Sequence, residues 1–403
     1  VTCDYSGARN FPGRCVYFSP YFTGQEQPMP TTSRQIQSRI SETGRLEVSL
    51  QTVELEDPGP DQVLLRVEAA PINPSDLGLL FGAADMSRAE FGGTAEAPTI
   101  SAPVPDAGLR MMAGRLGQSL PVGSEGAGTV VAAGSGANAQ ALLGKVVGVA
   151  GGEMYGEYRL VPANMCLPLK DGSTAEQGAS CFVNPMTALG MTETMRMEGH
   201  SALVHTAAAS NLGQMLNRIC LADGIPLVNI VRKSEQEALL RDLGAQHVVN
   251  SSAEGFSDNL RAVLDSTGAT LAFDATGGGR LASQILSAME QVAVAKMPEY
   301  SRYGSSVHKQ VYIYGALDLS PTTLQRNFGF AWSLGGWLLP NFLARAGRER
   351  IAAMSARVAE EIDSTFASSY QQRVGLAEAL RQEAVAVYGR QATGQKYLIE
   401  PQR

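Results

Sequence analysis

Arg232 and Lys233 follow an apolar run, Pro226-Leu-Val-Asn-Ile-Val231, and stand nineteen residues after Gly213, the end of a small-residue turn, Thr206-Ala-Ala-Ala-Ser-Asn-Leu-Gly213. A turn without bulky side chains lets backbone N–H groups and the N-terminus of a following helix approach a pyrophosphate, whose charge the helix dipole favours. Ser210, Asn211, Leu212 and Gly213 are the residues expected to present those donors. Where a unit selective for an unphosphorylated ribose would carry Asp or Glu, this chain carries a guanidinium, which suits a 2′-phosphate. The expected cofactor is therefore NADPH, read chiefly by Arg232 with Lys233 assisting. Taken singly, such a turn also suits a packed strand-to-helix connection that binds nothing, and a polar pair after a strand is an ordinary loop start. Their mutual spacing is what gives them weight.

Residues of this kind need a βαβ unit to hold them. An apolar strand, Ser201-Ala-Leu-Val-His205, precedes the turn, and a helix-compatible run, 214–222, follows it. Between about 185 and 340, runs at 201–205, 227–231, 247–250, 271–276 and 311–315 read as strands separated by helical stretches. That alternation predicts a parallel sheet covered on both faces. From about 46 to 170 the grain is different: short runs bounded by Gly and Pro, such as 63–69, 128–133, 145–150 and 157–161, read as a β-rich domain. After about 341, helical segments lead to one last strand within 395–399, which must pair somewhere, with the β-rich domain as host. The expected organisation is thus a β-rich domain from 36–184 and 341–403, with a dinucleotide-binding domain inserted at 185–340. Residues 1–35 are set aside as an extension expected to be poorly ordered, because they show no periodic apolar face or apolar signal segment and a start-like Met29-Pro-Thr-Thr-Ser lies within them.

Composition bounds the class. With 403 residues, two domains are the natural expectation, and 44% apolar with 18% charged content is that of a soluble globular protein. A net charge of −7 argues against a nucleic-acid or anionic-membrane surface. The weakly polar run 329–344 is broken by Gly335, Gly336, Pro340 and Asn341 and falls short of the roughly 20 residues of a membrane helix. Five cysteines without paired short spacing fit a reducing cytoplasm.

The series Pro71-Ile-Asn-Pro-Ser-Asp76, Gly123-Ser-Glu-Gly-Ala-Gly128, Gly144-Lys-Val-Val-Gly148, Asn184-Pro-Met-Thr-Ala188 and Leu243-Gly-Ala245 resembles the medium-chain dehydrogenase/reductase superfamily. It is most similar to the zinc-free branch of quinone reductases and mitochondrial-type enoyl thioester reductases, from about residue 45 to the C-terminus. The resemblance implies an α/β protein: a GroES-like β-rich catalytic domain plus a Rossmann domain with a doubly wound parallel sheet, an active cleft between them, and homodimers formed by edge-to-edge sheet pairing. In the superfamily's zinc enzymes a thiolate and an imidazole hold the metal; the corresponding residues here are Asn73 and Ser124, so no metal is expected. Without a Lewis acid, the feasible acceptors are those activated by conjugation, quinones and α,β-unsaturated carbonyls.

By the same resemblance Thr187 would lie beside the nicotinamide ribose, and Asn73 in the cleft, orienting the nicotinamide or the acceptor carbonyl. Thr276, Gly277 and Gly278 would line the cofactor, and Tyr314 and Gly315 would form the edge of its nicotinamide pocket. A helix start for Thr187, and simple turn chemistry for Asn73 and for 276–279, suit these residues as well. Asp274 reads as structural. The enoyl thioester reductases carry a proton-donating tyrosine eight residues beyond the motif Asp; this chain has Ala84 there. That departure favours an NADPH:quinone oxidoreductase over an enoyl thioester reductase, with a cofactor-binding protein of little turnover as a further alternative. Tyr155, Tyr300 and Tyr303 are the substitute donors, Tyr155 foremost. Two long segments, 84–120 and 298–309, are expected either to wall the substrate pocket or to be surface excursions.

Overall fold

The computed structural model describes residues 32–403. Of the extension expected at 1–35, residues 1–31 lie outside the described residues. The remainder is already strand, because Thr32–Ile40 alternates, burying Ser33, Ile36, Ser38 and Ile40. It pairs antiparallel with Arg45–Glu54, setting Ile36 opposite Leu50 and Ile40 opposite Leu46. This five-stranded sheet runs Glu90–Gly93, Pro98–Pro103, Arg45–Glu54, Thr32–Ile40, Ser119–Pro121. Residues 84–120, expected to wall the substrate pocket or to be a surface excursion, are therefore built of short strands and helices. Ile100 and Ala102 point inward and pair with Val48 and Leu46, the period-2 burial that holds a strand in register.

A second, mainly antiparallel sheet runs Cys166–Pro168, Val146–Ala150, Glu125–Ala133, Gln62–Pro71, Tyr397–Ile399, Gln372–Val374, with Tyr158–Pro162 also pairing Gln62–Pro71. The last strand does return to the β-rich domain, Leu398 opposite Pro71.

The third sheet has six parallel strands in the order His247–Asn250, Leu227–Val231, Leu203–Thr206, Leu271–Asp274, Lys309–Ile313, Trp332–Gly336. Leu203–Thr206 and Leu227–Val231 are buried throughout, as central parallel strands are. Helices Val183–Met197 and Asn211–Asp223 share one apolar cluster with Leu203, Leu271 and Phe273. Phe256–Thr267 and Leu281–Ala295 share another with Val204, Val228 and Val311. This is a Rossmann domain beside a GroES-like one.

One expectation needs correction. Helices Leu339–Ala346 and Arg348–Glu360, expected with the β-rich domain, belong to the parallel-sheet layer: Phe342, Met354 and Val358 join the cluster of Leu189 and Phe273. The chain rejoins the β-rich core only at Tyr370, against Ala69 and Leu398. Of the two readings open for 298–309, the largely exposed run 298–308 fits a surface excursion. Ser305 donates its N–H and hydroxyl to buried Glu290 (2.9 and 2.6 Å), which also pairs with Lys309, the first residue of its strand. This pins the segment at the amino end of the sheet, opposite the carboxyl edge where doubly wound folds bind ligands. Among the described residues no helix is long and apolar enough to cross a membrane.

Candidate functional site

The strand Leu203–Thr206 ends in a strained turn. Ala207 has φ 50°, a left-handed conformation that residues with a Cβ rarely adopt. Ser210 caps the helix Asn211–Asp223, its Oγ accepting from the Gly213 N–H at 3.2 Å, so the hydroxyl hydrogen stays free to donate. Glycine is required at 213 because a Cβ there would lie 2.2 Å from the Ala208 carbonyl oxygen. Leu212 turns its side chain into the core and can offer a ligand only its main chain. Asn211 donates Nδ2–H to Ser368 Oγ at 3.0 Å. The next strand lies parallel, Thr206 opposite Ile230, so exposed Arg232 and Lys233 share the carboxyl edge with the turn. Close by, exposed Asp318 is held below the usual carboxyl range by the Ser320 hydroxyl and N–H, with a smaller share from the Arg232 guanidinium.

Asp274 is structural, as expected. It accepts from the Thr206 hydroxyl (2.7 Å) and from the N–H groups of Thr276 (2.9 Å) and Gly277 (3.2 Å). The glycines beyond it, expected to line the cofactor or to serve turn chemistry, also let backbone segments approach each other. A Cβ on Gly277 would meet Gly315 O at 2.7 Å, one on Gly278 would meet Ser320 O at 2.5 Å, and one on Gly315 would meet Ala275 O at 2.6 Å. Gly277–Gly279 pairs in parallel with Asp318–Thr322, so these bare positions let two chain segments touch. Tyr314 is tied inward, its hydroxyl 2.7 Å from Nε2 of fully buried His205. Burial pushes the His205 imidazole down to about 3. Thr187 sits on Val183–Met197 and donates its hydroxyl to Val183 O.

The second half of the site is a polar cluster where the β-rich core meets the start of that helix. Asn73 precedes the helix Pro74–Leu80 and is 1% exposed. Its N–H donates to Asp76 Oδ2 and its Nδ2–H to Glu125 Oε1, both at 2.8 Å, while Oδ1 is buried without a partner. Glu125 Oε2 accepts the N–H groups of Phe182 and Val183, each at 2.8 Å, and so also meets the positive end of the helix dipole. Ser124 gives its N–H (2.8 Å) and its hydroxyl to Asp76 Oδ1.

Lys396, just before the final strand, donates to Ser180 Oγ at 2.8 Å, lies 5.7 Å from the centre of the Tyr370 ring and is within electrostatic reach of Glu125 and Asp76. Burial raises both carboxyls and pushes Lys396 down to about 8 against their opposing pull. Sequence reasoning missed Glu125 and Lys396 as site residues. The available signals were a carboxylate inside an apolar strand and one cation opening the apolar terminal run.

The geometry speaks against Tyr155, the foremost of the substitute donors, in that role. It is 1% exposed, its hydroxyl donates to Pro71 O at 3.0 Å, and burial lifts its pKa well above the usual phenol range. Tyr300 and Tyr303 ride the pinned segment before Lys309 at the amino end of the sheet. Among the described residues, no three His, Cys, Asp or Glu side chains are grouped to hold a metal ion.

No family model matches the chain. A Mesorhizobium loti structure assigned as an NADPH:quinone reductase is 28% identical with TM-score 0.68, covering 93% of this chain and 100% of that one. Escherichia coli quinone oxidoreductase complexed with NADPH shares the fold at 18% identity and TM-score 0.63, covering 92% of this chain and all of that one. A mitochondrial enoyl-[acyl-carrier-protein] reductase of Caenorhabditis elegans is 28% identical over 251 residues, 60% of this chain and 64% of that protein. The chain spans less than two thirds of the length of that and the other curated relatives it matches. With a GroES-like domain and a Rossmann domain, and Glu125 tying Asn73 to the start of Val183–Met197, the chain is similar in fold and sequence to quinone oxidoreductases and enoyl reductases of the medium-chain dehydrogenase/reductase superfamily.

Proposed function

We propose that this chain is an NADPH-dependent reductase whose acceptor is a quinone or related conjugated carbonyl. The observation that carries the reading is the shared sheet edge: a helix N-terminus behind a strained small-residue turn, with Arg232 and Lys233 beside it. The Ser210 hydroxyl and the main chain of 211–213 would hold the pyrophosphate, and the two cations the 2′-phosphate. When bound, NADPH supplies the hydride. Asn73 contributes orientation. Ionised Glu125 can only accept, so the amide N–H is committed to it, and the partnerless Oδ1 suits a ligand N–H or O–H rather than an acceptor carbonyl. Asn73 and Ser124 are poor zinc ligands, and both are bound to carboxylates, which supports a metal-free site.

The quinone reading is supported by the residues lacking at the cleft. Ala84 has no hydroxyl and Tyr155 is engaged in the core, so protonation of a carbon by a positioned tyrosine has no candidate among those named from sequence. Enoyl thioester reduction is the second reading, favoured by the likeness to the C. elegans reductase. A homodimer is supported by the outer strand Trp332–Gly336, which pairs only with Lys309–Ile313 among the described residues. A reducing cytoplasm is supported by the unpaired cysteine spacing. The test is steady-state NADPH oxidation with a panel of quinones, enones and enoyl thioesters. Quinone preference supports the reading, thioester preference replaces it with the second, and no turnover leaves a cofactor-binding protein.

A further inference from the structure

Two short crossings carry the chain from the β-rich core to the parallel-sheet layer and back. Going out, Ala179 lies in the cluster of Ala69 and Leu398, and Cys181 already lies in that of Leu189 and Phe273. Returning, Phe366 is still with Leu189 and Phe273, and Tyr370 is with Ala69 and Leu398. The crossings touch, Ser180 Oγ lying 3.0 Å from Tyr370 Oη. Domains joined through so few residues move against each other unless the crossings are held. The return crossing is held by the helix of the small-residue turn. Arg218 donates to Thr365 O at 3.2 Å and Ala367 O at 3.4 Å, and Asn211, on the same face seven residues earlier, donates Nδ2–H to Ser368 Oγ at 3.0 Å. Asn211 opens that helix, so its main-chain N–H has no intrahelical acceptor and is one of the donors expected to meet the pyrophosphate. One residue thus offers its main chain to the cofactor and its side chain to the crossing. The outgoing crossing leads to the cleft, where Phe182 and Val183 donate to Glu125, which holds the Asn73 amide.

We propose that the Asn211–Ser368 bond is a latch that fixes the return crossing when a pyrophosphate occupies the turn, which makes Asn211 and Ser368 positioning residues for hydride transfer; the proposal rests on the reductase reading above. A phosphate held on the main chain of 211–213 immobilises the start of the helix, and the Asn211 side chain extends that order to Ser368. Ser368 is two residues from Tyr370, and Tyr370 meets Ser180 on the crossing that leads to Glu125 and Asn73. The latch therefore sets how the cleft amide stands to the cofactor turn. Hydride transfer is sensitive to such spacing, since a misplacement of about 1 Å can cost about 100-fold in rate. Ser368 belongs to the crossing and not to the turn, so its replacement tests the latch apart from any phosphate contact.

The test follows amide hydrogen exchange of residues 365–371 with and without NADPH, together with NADPH affinity by calorimetry and steady-state NADPH oxidation by a quinone. In wild type, NADPH should slow exchange across that segment by about 10-fold. Ser368→Ala should abolish the slowing and lower kcat by about 10-fold or more. A latch that the cofactor strengthens must strengthen cofactor binding in return, so NADPH affinity should fall by only about two- to threefold in the same variant. Ser368→Thr keeps the hydroxyl and should restore both exchange and kcat. Asn211→Ala should match Ser368→Ala, and the double variant should be no worse than either single one, because both remove one bond. A purely structural bond would lower the melting temperature and leave the split between kcat and NADPH affinity unmoved. An unaltered kcat in Ser368→Ala, failure of Ser368→Thr to rescue, or additive losses in the double variant would each overturn the latch. NADPH that binds without slowing exchange at 365–371 would overturn it alone, leaving the reductase reading intact. Absence of turnover in wild type with every acceptor would instead sink the reductase reading, while the exchange still decides whether the latch closes.

Discussion

Glu125 accepts the side-chain amide of Asn73 on one oxygen and the first N–H groups of the helix Val183–Met197 on the other, all at 2.8 Å. One fully buried carboxylate thereby fixes the cleft amide to the helix that carries Thr187, so the two halves of the site share a single fixed point.

Removing that point should be costly. Glu125→Ala leaves three buried donors without an acceptor and should destabilise the protein by about 3 kcal/mol or more, on the scale of breaking a buried, charge-assisted network. Glu125→Gln keeps the volume but turns an N–H toward donors, and should fall between the two. Denaturant unfolding measures both, and an unchanged midpoint for Glu125→Ala would show that the three bonds give no net stability.

Gly213→Ala should act on the cofactor turn. Its Cβ would stand 2.2 Å from Ala208 O, which is backbone and cannot swing aside. Relief requires moving the turn that already holds Ala207 at φ 50°, at a cost of about 1–3 kcal/mol. Calorimetric titration should show NADPH affinity reduced roughly tenfold or more, the lower end of that range. Undiminished affinity would mean that the turn does not cradle the pyrophosphate.

How much of this was readable from sequence follows from the range of the interactions. Leu203–Thr206 and Leu227–Val231 stand out because strands buried on both faces are continuous apolar runs. Trp332–Gly336 is hidden by a serine and two glycines, and Pro98–Pro103 by the Ala, Gly and Pro around it, although Ile100 and Ala102 alternate inward. The helices at 339–360 are amphipathic in either domain, and only Phe342, Met354 and Val358 meeting Leu189 and Phe273 decides for the parallel sheet. The site divides in the same way. The turn to Gly213 and the cations at 232–233 are local and legible. Lys396 depends on Ser180, Tyr370 and Glu125, which are distant in the chain, and the glycines at 277, 278 and 315 answer to each other's backbones.

Arg232→Asp should separate the two nicotinamide cofactors. It removes a phosphate-binding cation and places a second carboxylate near Asp318, so NADPH binding should weaken by about 1.5–3 kcal/mol, the scale of a charge-assisted bond to phosphate. NADH binding should be unchanged or improved. Equal loss for both cofactors would show that Arg232 supports the fold.

His205 should make stability sensitive to acid. Its imidazole is neutral in the folded protein, held down to about 3 by burial, whereas in the unfolded chain it titrates near 6.5. The unfolded state therefore binds the extra proton first: the stability is fully present above about pH 6.5 and is lost as pH falls toward about 3. Between about pH 6.5 and about pH 5 this one group should remove about 2 kcal/mol. His205→Gln should flatten that part of the pH–stability curve; a curve of unchanged slope would assign the acid sensitivity to other groups.

The acceptor preference should turn on Ala84. Its N–H bonds Phe81 O at 3.2 Å and its side chain packs on the β-rich core, offering no proton. If a positioned tyrosine is what carbon protonation needs, quinones should be reduced faster than crotonyl or longer enoyl thioesters. Ala84→Tyr should then raise enoyl turnover selectively, by up to about 100-fold, the lower range of a well-placed general acid, where the ring finds room beside the inward-packed segment that follows it. Tyr155→Phe should leave both rates unchanged and cost only about 1 kcal/mol of stability through the lost bond to Pro71 O. Efficient thioester reduction by the unaltered protein, with quinones poor, would reject the quinone assignment; a rate collapse in Tyr155→Phe without unfolding would return that tyrosine to the chemistry.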